Sequence, residues 1–129
     1  MGKKIIKLEG IISPPRPFNH VVGADNFLFL SSQLSVNLKT HEIIEGDICE
    51  QTKQALENIK FLLESSGSSI NNVVKVVIYM KDIKDFDAMN KIYCKYFKKD
   101  EEPARVTIQA LSPINGIDIE IEVIAVLSN

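Results

Sequence analysis

The sequence predicts an α+β fold in which a mixed β-sheet carries two helices on one face, and three observations predict it. Two segments repeat apolar residues at helical spacing, several others alternate or run apolar as strands do, and the two kinds interleave in the order β-β-(β)-α-β-α-β-β. With 129 residues and no internal repeat, low-complexity stretch or linker, the chain reads as one domain over 1–129.

Residues 5–8 and 27–30 are short β-rich strands. Between them Pro14-Pro15-Arg16-Pro17 is an extended loop, because each proline restricts the residue before it. Residues 36–43 read as a ribbon and turn. The first helix covers 48–64: Asp47 and Glu50 form a capping box in acidic form, and Ile48, Thr52, Ala55, Leu56, Ile59, Leu62 and Leu63 make one buried face. Gly67 stops it, being able to take positive φ beyond the last turn. Residues 73–80 are nearly all apolar, as in a strand covered on both faces. The second helix covers 84–98, with a stripe of Phe86, Met89, Tyr93 and Phe97, and with Lys95, Lys98 and Lys99 at the negative end of its dipole. Residues 105–110 alternate; residues 117–123 alternate and then turn apolar through Leu127. Two helices cover one side of so wide a sheet, so an apolar face is left over, and a homo-oligomer that buries it follows.

Composition narrows the class. Hydrophobic residues make up 45% and charged residues 25%, with mean hydropathy near zero, which fits a globular chain. Fifteen basic and 17 acidic residues leave a net charge of −2, which offers phosphate backbones no general attraction. Lys7 and Glu9 break any signal-peptide core, Ile6 stands where myristoylation needs Ser or Thr, and no apolar run approaches the roughly 20 residues of a membrane span. Cys49 and Cys94 form no CxxC pair, and two reduced, half-buried thiols are preferred to the disulfide that spacing leaves open. A cytoplasmic location without membrane contact is the expectation.

Most catalytic signatures are missing: GxGxxG, P-loop, GxSxG and HExxH are all absent. His20 and His41 both fall in loops, so a histidine metal cage or triad is not expected, and Asp82, Asp85 and Asp87 read as helix-start caps rather than calcium ligands. Polar residues on strands remain. Arg105, Thr107 and Gln109 share one face of their strand, opposite Ala104, Val106, Ile108 and Ala110. Asp118, Glu120 and Glu122 share a face that continues as Ile124 and Val126, so Glu120 or Glu122 is partly buried and needs a partner. The short connection 111–116 makes the two strands neighbours and Arg105 the available partner, which makes a structural salt bridge across strands the plain reading.

The same residues resemble a known family. Pro103-Ala104-Arg105 before an alternating strand, and Ile119-Glu120-Ile121-Glu122-Val123-Ile124-Ala125-Val126, are similar to hallmarks of the Rid family (RidA-like, YjgF-type reactive intermediate deaminases, also called L-PSP endoribonucleases). Arg16-Pro17-Phe18 stands where the family has Gly-Pro-Tyr, and Phe29-Leu30-Ser31-Ser32-Gln33 resembles its strand ending in Ser-Gly-Gln. Gln54 to Ile59, Val74 to Asp82 and Asp85 to Asn90 resemble its first helix, central strand and second helix, so the likeness runs from Pro14 to Val126.

The resemblance implies a chorismate-mutase-like fold, a homotrimer with clefts between subunits, and hydrolysis of 2-iminobutanoate/2-iminopropanoate-type enamines and imines to 2-keto acid and ammonia. It implies that Arg105 grips the substrate carboxylate and that Glu120 positions or activates the attacking water. Main-chain groups at Thr107 and Ser32 orient the substrate, Asn90 supports the pocket wall, and Phe18 and Ser31 join the substrate-binding set. No metal or organic cofactor is implied, because an imine is already an activated electrophile. Phe18 lacks the family tyrosine's hydroxyl, Ser32 adds a side chain where the family has glycine, and Thr107 stands where cysteine is common. Leu38 and His41 replace the Pro and Gly of an early turn, away from the chemistry. Two alternatives stand beside the deaminase: an endoribonuclease or translation inhibitor, disfavoured by the acidic chain and the lack of basic-aromatic interleaving, and a non-catalytic ligand-binding trimer, disfavoured by retention of Glu120.

Overall fold

The computed structural model describes residues 2–129. Among them six strands form one mixed sheet: β1 (Lys3–Ile6), β2 (Val21–Ala24), β3 (Phe27–Gln33), β4 (Val73–Met80), β5 (Ala104–Gln109) and β6 (Ile119–Val126). Their order across the sheet is β1-β2-β3-β6-β4-β5, antiparallel except for β4 beside β5. Helices α1 (Ile48–Ser65) and α2 (Phe86–Tyr93) pack on one face and on each other. This is the expected α+β sandwich with two helices on one side.

The first helix forms for the reasons its sequence suggests. The Asp47 carboxylate accepts from the Glu50 amide at 2.9 Å, and the Glu50 carboxylate accepts from the Asp47 amide at 3.1 Å. All seven residues of the expected stripe are buried, and Gly67 takes φ = +90° after the last turn. Leu56, Ile59, Leu62 and Leu63 press onto Ile78, Ile119, Ile121 and Val123 to make the core. The Val36–Ile43 ribbon closes through an isolated bridge between its two ends.

Four expectations need correction. The second helix is shorter than 84–98: a 3-10 turn at Ile83–Asp85 leads into α2, and after Tyr93 the amides of Lys95 and Tyr96 reach back three residues rather than four. That tightening seats Phe97 against the Tyr93 ring, centroids 4.6 Å apart. Asp82 caps the 3-10 turn through the Lys84 amide, as its position suggested. Strand β2 was not foreseen, since Val21-Val22-Gly23-Ala24 is too short to show a period and is held by β1 and β3 on its two sides. Cys94 is exposed rather than half-buried, while Cys49 is half-buried; both are free.

The fourth correction bears on the site. Strands β5 and β6 are not neighbours, because β4 lies between them. The β4-α2-β5 crossover returns β5 parallel to β4. The residues after it then need cross only two strand spacings, roughly 10 Å, to start β6, which the connection 110–118 reaches with ease.

The face of the sheet turned away from the helices is apolar and uncovered. Phe27, Phe29, Val74, Val106 and Ile108 are each 41–46% exposed. This is the surplus face anticipated from the strand sequences.

Candidate active site

Arg105 and Glu120 occupy opposite faces. Arg105 is in register with Val76, whose side chain is buried under the helices, whereas Glu120 is in register with Tyr79 on the uncovered face. Two strand spacings and about three residues along the strands separate their α-carbons by roughly 14 Å. The expected salt bridge between β5 and a β6 carboxylate is therefore absent; β-sheet alternation points the two charges apart.

On the helix side, the Arg105 Nη1 donates to the Asn90 side-chain oxygen at 2.8 Å. The guanidinium lies over the Tyr93 ring at 4.7 Å and near the Phe86 ring at 5.7 Å. Burial pushes the Tyr93 phenol up to about 12 against the opposite pull of Arg105, so it stays neutral beside the cation. Asn90, Tyr93, Glu102 and Pro103 border the cleft that holds Arg105. Next to it a wider cleft of about 530 Å³ lies between β5 and the start of α2, lined by Phe86, Thr107 and Gln109. The Thr107 hydroxyl is buried without a hydrogen-bond partner among the described residues. Arg105, Thr107 and Asn90 thus come together as expected.

On the other face, Ser32 donates to Glu120 Oε1 at 2.6 Å, and the Ser112 hydroxyl donates to the second carboxylate oxygen. A β-bulge between Leu30 and Gln33 sets two serines opposite one residue of β6. The extra residue turns Ser32 to the Glu120 side and buries Gln33. Ser31, by contrast, donates to the Asn19 carbonyl at 2.7 Å and ties β3 to the preceding loop. Glu122 accepts from the Tyr79 hydroxyl. Both glutamates are half-buried, as foreseen, but hydroxyls rather than Arg105 satisfy them.

The Ser112 connection is itself anchored. Gln51, 2% exposed, accepts from the Asp118 amide at 2.8 Å and shares its own N–H groups among Gly46 O, Gly116 O and the Asp118 carboxylate at 3.0–3.2 Å.

Glu120 borders two cavities. One, about 230 Å³, also touches Tyr79, Ser112, Asp118 and Glu122. The other, about 390 Å³, runs from Ser32 and Glu120 past Phe18, His20, Val36 and Ile43 to His41. His41 is thus not remote, contrary to the sequence reading. Its backbone sits at φ = +63°, a conformation costing a residue with a β-carbon about 1–2 kcal/mol relative to glycine. Its ring stacks on buried His20, centroids 5.5 Å apart and planes 16° from parallel. Burial, and secondarily His41, push the His20 imidazole below its usual pKa. Sequence reasoning missed Ser112, Tyr93, Phe86 and the two histidines as site neighbours; Phe86 and Tyr93 were visible as helix stripe, and nothing in the sequence marked the rest.

A family model described as Endoribonuclease L-PSP matches residues 10–127. The chain belongs to this Rid/YjgF family. A RutC family protein of Pyrococcus horikoshii is 44% identical over 123 residues, covering 95% of this chain and 97% of that one. The structure of a Rid family protein of unknown function from Yersinia pestis superposes with a TM-score of 0.89 at 32% identity, over 98% of this chain and all of that one. Escherichia coli TdcF with bound serine superposes with a TM-score of 0.85 at 29% identity, over 97% and 99% of the two chains. The Rid fold, a six-stranded mixed sheet with two helices, therefore holds for the described residues. No helix among them is long and apolar enough to cross a membrane.

Proposed function

We propose that this Rid family chain is a 2-imino acid deaminase, a hydrolase of C=N bonds whose site forms where copies of the chain meet, in a homotrimer. The observation that carries the reading is the split geometry: a guanidinium bound to a neutral amide and cradled by two rings on one face, a hydroxyl-held carboxylate on the other. One copy cannot bring them to one ligand. Packing the uncovered apolar face of one protomer against the β5 edge of the next would do so and bury Val106 and Ile108.

In that cleft Arg105 offers a carboxylate two parallel charge-assisted hydrogen bonds. Thr107 and Ser32 orient the ligand, with Asn90 fixing Arg105 and with Phe18 and Ser31 beside Ser32. The substrate enters as the protonated iminium, and the Glu120 carboxylate takes one proton from water as its oxygen adds to the iminium carbon, giving a neutral carbinolamine. Glu120 returns that proton to the nitrogen, and ammonia leaves as the C–N bond breaks. The hydroxyl gives its remaining proton to Glu120 to form the carbonyl of a 2-keto acid, and Glu120 passes that proton to the departing ammonia as ammonium. No cofactor is required by this chemistry. Such proton transfer contributes roughly 10²–10⁴-fold. The serine bound to the similar TdcF, a small amino acid with a carboxylate, is consistent with this ligand class.

Imines generated in situ by an amino-acid oxidase and trapped with semicarbazide test the reading. Wild type should suppress trapping, and Arg105→Ala and Glu120→Ala should not; equal suppression by all three would end it. The family's endoribonuclease name prompts the same comparison with RNA. Asp118, Glu120 and Glu122 together line one cavity, a poor setting for a phosphate chain.

A further inference from the structure

The deaminase reading leaves a feature over. The cavity of about 390 Å³ beside Glu120 is much larger than a methyl or ethyl group requires. An apolar cavity of roughly 150 Å³ already holds benzene. Its walls include Val36, Ile43 and Ile114, and one corner is built from three rings. The Phe18 ring meets the His20 ring edge-on at 6.2 Å, and His41 stacks on His20.

His41 is the telling residue. The turn from Asn37 to Glu42 closes through main-chain hydrogen bonds, and its left-handed position would be met without strain by glycine. A strained backbone that places a side chain on a cavity wall points to a use for that side chain.

The His20 ring in this wall is neutral rather than cationic. The Gln33 amide nitrogen donates to the Ser31 carbonyl at 3.1 Å and lies 3.3 Å from His20 Nδ1. Nδ1 therefore accepts, which leaves the proton on Nε2, buried and without a partner among the described residues. Burial keeps this ring uncharged near neutrality. Arg16, the cation bordering this cavity, is exposed.

Resting on the deaminase reading, we propose that this cavity is the side-chain subsite of the same site and selects 2-imino acids with an aromatic side chain, His41 and Phe18 supplying the flat walls. The substituent on the imine carbon extends away from Glu120 into it, with the carboxylate directed to Arg105.

The test uses stable 2-keto acids in place of imines. Pyruvate, phenylpyruvate and 2-oxoglutarate are titrated calorimetrically into the native oligomer of wild type and of His41→Gly, whose backbone glycine suits. Phenylpyruvate should bind wild type about tenfold or more tightly than pyruvate, the discrimination a filled apolar pocket supplies. His41→Gly should reduce that ratio to about threefold or less. Equal binding of the two acids, tightest binding of 2-oxoglutarate, or a ratio unchanged in His41→Gly would overturn the proposal. Clearance of the phenylalanine-derived imine is measured on the same wild-type sample. Selective binding without clearance removes the deaminase reading and keeps the subsite; clearance without selectivity removes the subsite alone.

Discussion

Replacing Arg105 by lysine keeps the charge and removes the geometry, so it isolates what the guanidinium contributes. In the structure Asn90 holds Nη1 at 2.8 Å while the Tyr93 and Phe86 rings flank the group at 4.7 and 5.7 Å. That cradle fixes the plane in which a carboxylate would be met. A lysine ammonium is a point charge on a flexible stem and cannot make the second parallel hydrogen bond. The lost bond to a charged acceptor is worth about 1.5–3 kcal/mol, and the lost stacking about 0.5–1 kcal/mol. At about 1.4 kcal/mol per tenfold, a loss of about 2–4 kcal/mol predicts kcat/KM lower by roughly 30- to 1,000-fold. The assay is semicarbazide trapping over a series of enzyme concentrations, with circular dichroism to show the fold retained. A kcat/KM for Arg105→Lys within about twofold of wild type would mean that charge alone suffices and that the planar grip is not used.

Three further outcomes follow from named contacts. Glu120→Gln keeps the size and the hydrogen bond from Ser32 but cannot accept a proton; kcat should fall by about 10²–10⁴-fold in the trapping assay with melting unchanged. Gln51→Leu strands the Asp118 amide and the carbonyls of Gly46 and Gly116, and urea titration at fixed protein concentration should show a loss of about 1–3 kcal/mol. His20 has its pKa lowered by burial from 6.5, so between its unfolded and folded values the unfolded chain binds more protons. Stability is therefore full above about pH 6.5 and declines as pH falls below it; melting curves from pH 7.5 to 5 should show the decline, and His20→Gln should flatten it.

How much could be read in advance depended on whether the cause was local. The first helix was legible to its ends, because Asp47, Glu50 and seven periodic apolar residues lie within one stretch of chain. The alternation of β5 and β6 was equally plain and correctly placed Arg105 with Thr107, and Glu120 with Glu122. What alternation cannot supply is the order of strands, since pairing is set by non-local contacts. Hence β4 was not placed between β5 and β6, and Arg105 was assigned a carboxylate from the opposite face. The bulge that turns Ser32 toward Glu120, and the left-handed backbone that brings His41 to the cavity wall, leave no composition signal either. Resemblance to the Rid family singled out Arg105 and Glu120 without revealing that they face apart within one chain.

That separation can be tested by mixing. Arg105→Ala and Glu120→Ala proteins, each inactive alone, are denatured together in equal amounts and refolded. If each site takes its arginine from one copy and its glutamate from the next, random reassembly restores both groups at about one site in four, and about a quarter of wild-type deaminase activity returns. Activity no higher than that of the separate variants, in a preparation shown by mass to contain mixed oligomers, would contradict a site shared between copies.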